Sequence, residues 1–506
     1  MASRRDELNA YTFAKKRTVA SFLQPSPTGS EEGAPRPLRA VLPGLVVGVV
    51  IMAGFGAWGM FKPKVPKGWD EPGKNVIVAS ESTTRYVVLE TDGQPQLHPV
   101  LNFASAKLLL DGEGTEIVEV DEAVLDGGDV PIGPTVGIPY APDRLPDPGE
   151  AGAAKRWAVC EQPGAADRSV QSATFVLADR DADAVEGEHR LTGDDVMYVR
   201  NEEGKRFLVD ARGSRYEIGT ADSELLLRSL VGEGRRPQRV TDTWLATFQE
   251  GSPIAFPELP DGLGTPAGMD ELDDSANRVG MVLIAPTGSG PQHYVVLRGK
   301  VVPISDFSAR LLLDHPGSLE LGQKSRAMEV AAQSFTAAPA SEGPTVDRDW
   351  PELEPDHVNH ASRDTVCSVL RDVDDDGSAT LSTWAGDTYP VPVSDGATSA
   401  YVTPGSGLLY RQFQGTDTTT GGTFLVTDTG LRYAVQSNAD SSAQGAETTG
   451  DSEGGAPQNT GDDVDQAQLR LGYQDVEPVP VPAHWSEFLP KGPRLDTTSA
   501  RQPQGA

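Results

Sequence analysis

Residues 207–218 read FLVDARGSRYEI, and residues 424–435 read FLVTDTGLRYAV. Six of the twelve positions are identical: Phe207/Phe424, Leu208/Leu425, Val209/Val426, Gly213/Gly430, Arg215/Arg432 and Tyr216/Tyr433, each 217 residues apart. The match has company. Tyr86-Val87-Val88-Leu89 returns as Tyr294-Val295-Val296-Leu297, AKLLLD at 106–111 returns as ARLLLD at 309–314, and Cys160 in AVC answers Cys367 in TVC. Those offsets of 208, 203 and 207 run in the same order, so the chain carries an internal duplication.

Each half also repeats within itself. ELLL at 224–227 resembles the leucine triplets at 108–110 and 311–313. The unit reads as strand, turn, strand, then a short helix carrying leucines; RYVVLE and HYVVLR have the β-branched and tyrosine content of strands. Four such repeats fit, at 76–146, 196–260, 279–340 and 406–490. The segments 151–195 and 344–405 resemble each other at their cysteines and are expected to form the two halves of a central core. Residues 437–466 are Ser, Thr, Gly and Asp-rich and read as a disordered insertion in the fourth repeat; 491–506 read as a flexible tail. The expected fold class is α+β: an elongated, strand-rich domain of four repeats around a core, with a pseudo-two-fold internal duplication. With 54 Gly, 40 Pro and 6% aromatic residues, the composition favours short, turn-rich elements over a helical bundle.

Ahead of that body, Ala40 to Phe61 reads AVLPGLVVGVVIMAGFGAWGMF without one charge. At helical rise it is long enough for a bilayer core of about 30 Å, so 40–61 is expected to be a transmembrane helix. The arm before it is too long for the n-region of a cleaved signal, and Ala57-Trp58-Gly59 is a poor cleavage site. Seven Lys/Arg precede the span and four lysines (Lys62, Lys64, Lys67, Lys74) follow it, which favours a cytoplasmic N-terminus and an extracytoplasmic body. In the arm, 1–39, Leu8, Tyr11, Val19, Phe22 and Leu23 can fall along one side of a helix, and this amphipathic face could rest on the inner leaflet or on a cytoplasmic partner. Residues 62–75 read as a linker.

The net charge is −31, from 43 Lys/Arg and 74 Asp/Glu. Residues 1–61 contribute +3 (seven basic, four acidic), leaving −34 on the body. So acidic a body has no broad basic patch for nucleic acid. Two cysteines in 506 residues cannot be a disulfide scaffold, and two unrelated buried thiols are the plainest reading. Their equivalent positions in the duplication favour another. A pseudo-two-fold brings residues near its axis close to their counterparts, so Cys160 and Cys367 are expected to bridge.

Catalytic and metal motifs are sparse. Gly317 to Ser325, GSLELGQKS, approaches a phosphate-binding loop, but Gln323 displaces the lysine and a leucine-rich helix precedes it where a strand is needed. Asp372 to Gly377 imitates the start of a calcium loop, yet Thr383 stands where a bidentate Glu is required. His357 and His360 lack a third ligand at useful spacing and read as a loop. No catalytic residue, metal site or cofactor is expected.

The order of features resembles the EccB family, a membrane component of actinobacterial type VII (ESX) secretion systems. The resemblance rests on SRRDELNAYTFAKKR, the single span, the YVVL repeats, the lone cysteine pair and the closing PVPVPAHW…LPKGPRLD. It implies a cytoplasmic arm contacting other membrane subunits, a periplasmic domain of four repeats about a core, and a disulfide between the positions of Cys160 and Cys367. It also implies an inner-membrane location and repeats similar to a phage-lysin cell-wall-binding fold. The expected function is a structural subunit of the secretion complex. An ATP-hydrolysing subunit, as some members are called, and a cell-wall anchor are the alternatives. Expected partners are the other membrane subunits, with self-association through the repeats and glycine-rich span, and contact with peptidoglycan.

Overall fold

The computed structural model describes residues 3–23, 38–61, 65–111, 115–164, 169–220, 223–343, 349–360, 362–393, 398–436 and 466–504. The duplicated stretch explains its own identities. Residues Arg206–Asp210 and Ser214–Glu217 form a hairpin, as do Gly422–Thr427 and Arg432–Ala434. Leu208 faces Tyr216 across the first, and Leu425 faces Tyr433 across the second. Gly213 and Gly430 turn the chain at φ of +83° and +77°, a region that L side chains avoid. A Cβ at Gly213 would also stand 2.5 Å from Cβ of Leu381. The Arg215 guanidinium lies 5.9 Å from the Phe207 ring centroid and that of Arg432 lies 5.4 Å from Phe424, a cation–π contact on each hairpin.

Four sheets share one plan. In the first, Asn75–Ala79, Arg85–Thr91 and Gln94–Val100 form an antiparallel meander; the helix Phe103–Leu109 follows, and Glu116–Val120 returns parallel to the opening strand. The second uses Asp195–Arg200, the hairpin above, helix Ser223–Val231 and Gln238–Arg239. The third uses Val282–Thr287, Gly290–Leu297, Lys300–Ile304, helix Asp306–Asp314 and Met328–Glu329. The fourth opens with Gly407–Phe413 and, after its hairpin, closes with helix Gln466–Leu471 and Val479–Pro482. A last segment in each pairs parallel with the third strand: Val136 with Val100, Gln249 with Ser214, Ala337 with Val301, and Leu495 with Val435. The strand–turn–strand–helix unit read from the sequence is therefore short by one strand before the helix and two segments after it.

Helix starts follow capping chemistry. Asn102 accepts from the amide of Ser105, and Ser305 from that of Ser308, satisfying amides that have no partner within the helix. The leucine-bearing helices then pack in pairs. Phe103–Leu109 lies against Gln466–Leu471, burying Leu108, Leu109 and Leu471; Ser223–Val231 lies against Asp306–Asp314, burying Leu226, Leu230, Phe307 and Leu311. The first sheet is thereby bound to the fourth and the second to the third.

The fifth sheet is central, in the order Ala379–Gly386, Thr365–Val373, Arg156–Pro163, Val170–Leu177, Thr398–Val402. One face packs on the second and fourth sheets through Trp157, Val159, Trp244, Tyr410 and Trp485. The other buries Ala158, Cys160, Phe175, Cys367, Val369 and Trp384.

Several expectations need correction. Residues 491–504 are not a flexible tail: Leu495 and Ala500 are fully buried, and Gln504 donates its amide to Thr135 O at 2.8 Å. The 62–75 linker is packed over 65–74, with Val65 and Trp69 against the first sheet. The insertion lies outside the described residues except for Gln466, which begins a helix. Residues 349–360, assigned to the core, serve the second sheet: Asp356–His357 is a strand paired with Asp195 and Val196, not a loop. The arm is a helix, Arg4–Leu23, but its amphipathicity is weak. At about 100° per residue, Arg4 and Lys15 fall inside the apolar arc and Phe13 falls opposite it.

The second N-terminal helix, Leu38–Phe61, has 24 residues; its side chains are described over 41–56, where Val41, Leu42, Leu45, Val50, Met52 and Phe55 are all exposed. Among the described residues no helix is long and apolar enough to cross a membrane.

Candidate functional site

The point of closest symmetry is the middle of the central sheet. Strands Arg156–Pro163 and Thr365–Val373 run antiparallel, with Val366 facing Glu161, Ser368 facing Val159 and Leu370 facing Trp157. One step along either strand moves the partner one step back. Only one pair can therefore match a residue with its own duplicate 207 positions on, and that pair is Cys160 with Cys367. Their sulfurs are joined, and both residues are fully buried.

Around this axis the halves differ in their polar contacts. Glu161 is fully buried, and burial pushes its carboxyl above the usual range. It accepts from Thr241 N at 2.9 Å, from the Thr241 hydroxyl and from Ser172. Thr241 in turn caps the turn Asp242–Leu245, whose Trp244 donates its indole N–H to Val159 O at 2.9 Å. The carboxyl thus ties the second sheet to the core. On the duplicate side, Arg432, Gln412, Ser486 and the Tyr410 hydroxyl bond one another instead.

The paired helices lock reciprocally. Lys107 donates to Leu471 O at 3.1 Å, while Arg470 donates to Leu108 O at 3.1 Å and Leu110 O at 2.6 Å. Each cation satisfies carbonyls at the other helix's C-terminal end, where the helix dipole also favours positive charge. Neither residue carried a signal in the sequence: Lys107 sits within AKLLLD, and its partner lies more than 360 positions away.

The candidate chemical motifs have structural duties. In the 317–325 loop, Gln323 accepts from Val282 N at 2.9 Å and donates to Val282 O at 2.7 Å, bracing the third sheet. The loop follows helix Asp306–Asp314 through a 3-10 turn, Pro316–Leu321, so its amides do not open a helix after a strand. Asp374 to Ser378 is the turn between two core strands, and Thr383 is buried, donating to Asp210 O at 3.0 Å. His357 is buried beside Tyr198, and its burial, with His360 and Arg235 nearby, lowers its pKa to about 4. Asn359 beside it accepts from Tyr198 N and donates to Tyr198 O, continuing the strand with a side chain. Among the described residues no group of His, Cys, Asp or Glu is placed to hold a metal ion.

Two of the grooves among the described residues lie at joints between elements. One, of about 530 Å³, lies between the second and fourth sheets at Phe248, Leu381, Phe413 and His484; the other, of about 400 Å³, lies between the first sheet and Arg501 and Pro503. The smaller holds the Thr91 hydroxyl 3.3 Å from His98 Nε2, with His98 Nδ1 donating to Pro134 O at 2.9 Å, and the larger is lined in part by Ser378, His484 and Glu487.

Comparison with known proteins gives a consistent result. The family described as "Type VII secretion system ESX-1, transport TM domain B" matches residues 1–506. The ESX-1 secretion system ATPase EccB1 of Mycobacterium tuberculosis is 29% identical over 280 residues, 54% of this chain and 53% of that protein, so the chain spans about half the length of these relatives. The ESX-3 secretion system ATPase EccB3 of the same species is 27% identical over 493 residues, covering 91% of this chain and 82% of the relative. A chain in the structure of an intact ESX-5 inner membrane complex has a TM-score of 0.56 at 20% identity, with 100% of this chain and 96% of that one covered. A chain of the EccB3 dimer from the ESX-3 core complex has a TM-score of 0.54 at 21% identity, with 84% and 99% covered. At these identities the structural likeness is one of fold. The family match, running from the first residue to the last, places the chain in the EccB family, the transport TM domain B proteins of type VII secretion.

Proposed function

We propose that the chain is a structural subunit of a type VII secretion inner-membrane complex, anchored by one membrane-spanning helix and working through assembly. The observation that carries this reading is the helix Leu38–Phe61. At about 1.5 Å per residue its 24 residues run roughly 36 Å; where its side chains are described, over 41–56, none is charged and all but Gly48 are exposed, a stretch too short by itself to count as a span. Water is a poor solvent for such a surface; lipid or neighbouring helices suit it. It stands between a basic arm and an acidic body. The excess of Lys/Arg before it favours a cytoplasmic arm, and a cystine in the body fits an oxidising compartment. We assign the body four repeats about a core divided between the two halves, with self-association and other membrane subunits as its partners.

Its relatives carry the name ATPase. The assembly reading rests on what the 317–325 loop does: Gln323 is committed to Val282, and Lys324 stands beyond it on a backbone of φ +50° with no helix N-terminus behind it. Two measurements test the proposal on the full chain. Cysteines introduced at Ser21 and Ser378 in intact cells should react differently with an impermeant maleimide: Ser378→Cys labelled, Ser21→Cys protected. Labelling of both, or the reverse pattern, removes the topology. ATP turnover by the detergent-purified chain that disappears in Lys324→Ala would replace assembly with catalysis.

A further inference from the structure

We propose that the free edge of the first sheet, strand Glu116–Val120, is a docking site for an extended, basic strand supplied by another protein. Among the described residues the strand pairs only with Asn75–Ala79 and ends its sheet. Val120 O accepts from Ser80 N at 3.0 Å, so the peptide groups of Val120 face inward. By the two-residue alternation of a strand, those of Val118 and Glu116 do too. The N–H and C=O of Ile117 and Glu119 therefore point outward, at the spacing a further strand would use. Ile117 is 63% exposed, although it is a β-branched residue in a regular strand.

The equivalent edges of the other three sheets are closed to such an addition. Gln238–Arg239 and Met328–Glu329 are two residues long, and Val479–Pro482 contains Pro480 and Pro482, which have no amide to donate. Of these four returning strands, that of the first sheet is the one with five residues and no proline.

Charge selects the occupant. Residues 116–129 hold Glu116, Glu119, Asp121, Glu122, Asp126 and Asp129 with no Lys or Arg. A second copy pairing through the same strand would set glutamate beside glutamate, which is unfavourable across a ladder. A strand alternating Lys or Arg with β-branched residues meets the acids with opposite charge and covers Ile117, while its backbone supplies the ladder bonds.

Hydrogen exchange on the full chain in detergent micelles tests this, with an eight-residue peptide alternating Lys and Val as probe. Controls are the same peptide with two valines replaced by proline, and one alternating Glu and Val. The Lys–Val peptide should bind saturably and slow exchange at the amides of Ile117 and Glu119. The proline peptide should leave those amides unprotected, Ile117→Pro, which itself removes the residue 117 amide, should abolish protection at the Glu119 amide, and Glu119→Lys should weaken binding several-fold. Binding without protection at these two amides overturns the proposal, as does equal protection by the proline peptide. Should Ile117→Pro fail to fold, Glu119→Lys decides, because that side chain is exposed and unchanged binding by it refutes the charge argument. Protection that rises with protein concentration in the absence of peptide would assign the edge to a second copy and also overturn the proposal.

Discussion

Replacing both cysteines, Cys160→Ala with Cys367→Ala, should leave the fold intact and lower its stability by about 5 kcal/mol. The bond closes 207 residues. In the chain-entropy account, a loop of that length removes about 5 kcal/mol of freedom from the unfolded chain at 25 °C. The native ladder does not need the bond: five register pairs hold the two strands, and each strand has a further neighbour on its other side. The loss should therefore come from the unfolded state. The assay is urea unfolding of the full chain in detergent, followed by tryptophan fluorescence, since Trp157 and Trp384 both lie in the core sheet. At a slope of about 3 kcal/mol/M the midpoint should fall by roughly 1.5 M, and the slope itself should rise as the uncrosslinked chain exposes more surface. An unchanged midpoint and slope would refute the idea that the crosslink restrains the unfolded chain.

Three other perturbations test separate parts of the body. Arg470→Ala should destabilise by about 1–3 kcal/mol, because it strands Leu108 O and Leu110 O at the joint between first and fourth sheets; exchange at the amides of helix 103–109 should quicken ahead of the rest, and uniform exchange would count against a local joint. Leu311→Ala empties a fully buried site between the second and third sheets and should cost about 2–5 kcal/mol, read as a lower melting temperature. The His357 imidazole titrates at about 4 when folded, against about 6.5 when unfolded. The unfolded chain then binds more protons between those values, so stability present above pH 6.5 is lost as pH falls toward 4, on the order of 3 kcal/mol. His357→Met should flatten that part of the pH profile, and an unaltered profile would place the titration elsewhere.

The duplication was legible because each identity answers a physical demand. Gly213 and Gly430 occupy left-handed turns, Tyr216 and Tyr433 fill the core, and the arginines lie over Phe207 and Phe424. Turn geometry and burial left letters that could be matched. The third strand of the first sheet was hidden by Pro95 and Pro99 in QPQLHPV, residues that weaken any strand pattern, although the strand pairs along its full length. Returning strands of two residues are too short for any periodicity. The strand at Asp356–His357 was invisible for another reason: its partner lies about 160 positions earlier, and its continuation is made by the Asn359 side chain. The fourth helix, QAQLRL, has lost the leucine triplet, and its packing role is set by Arg470 and Leu471. The arm's amphipathic reading failed because five apolar residues were placed on an arc without placing Arg4 and Lys15 on it as well.

The central claim is that arm, span and interlocked body serve assembly. The most direct measurement is the mass of the particle that the tagged full-length chain brings out of the membrane in mild detergent, with and without residues 3–23. We predict a multi-subunit particle with the arm present and a much smaller species without it, both retaining the folded body. A lone chain of unchanged mass in both cases would contradict the account.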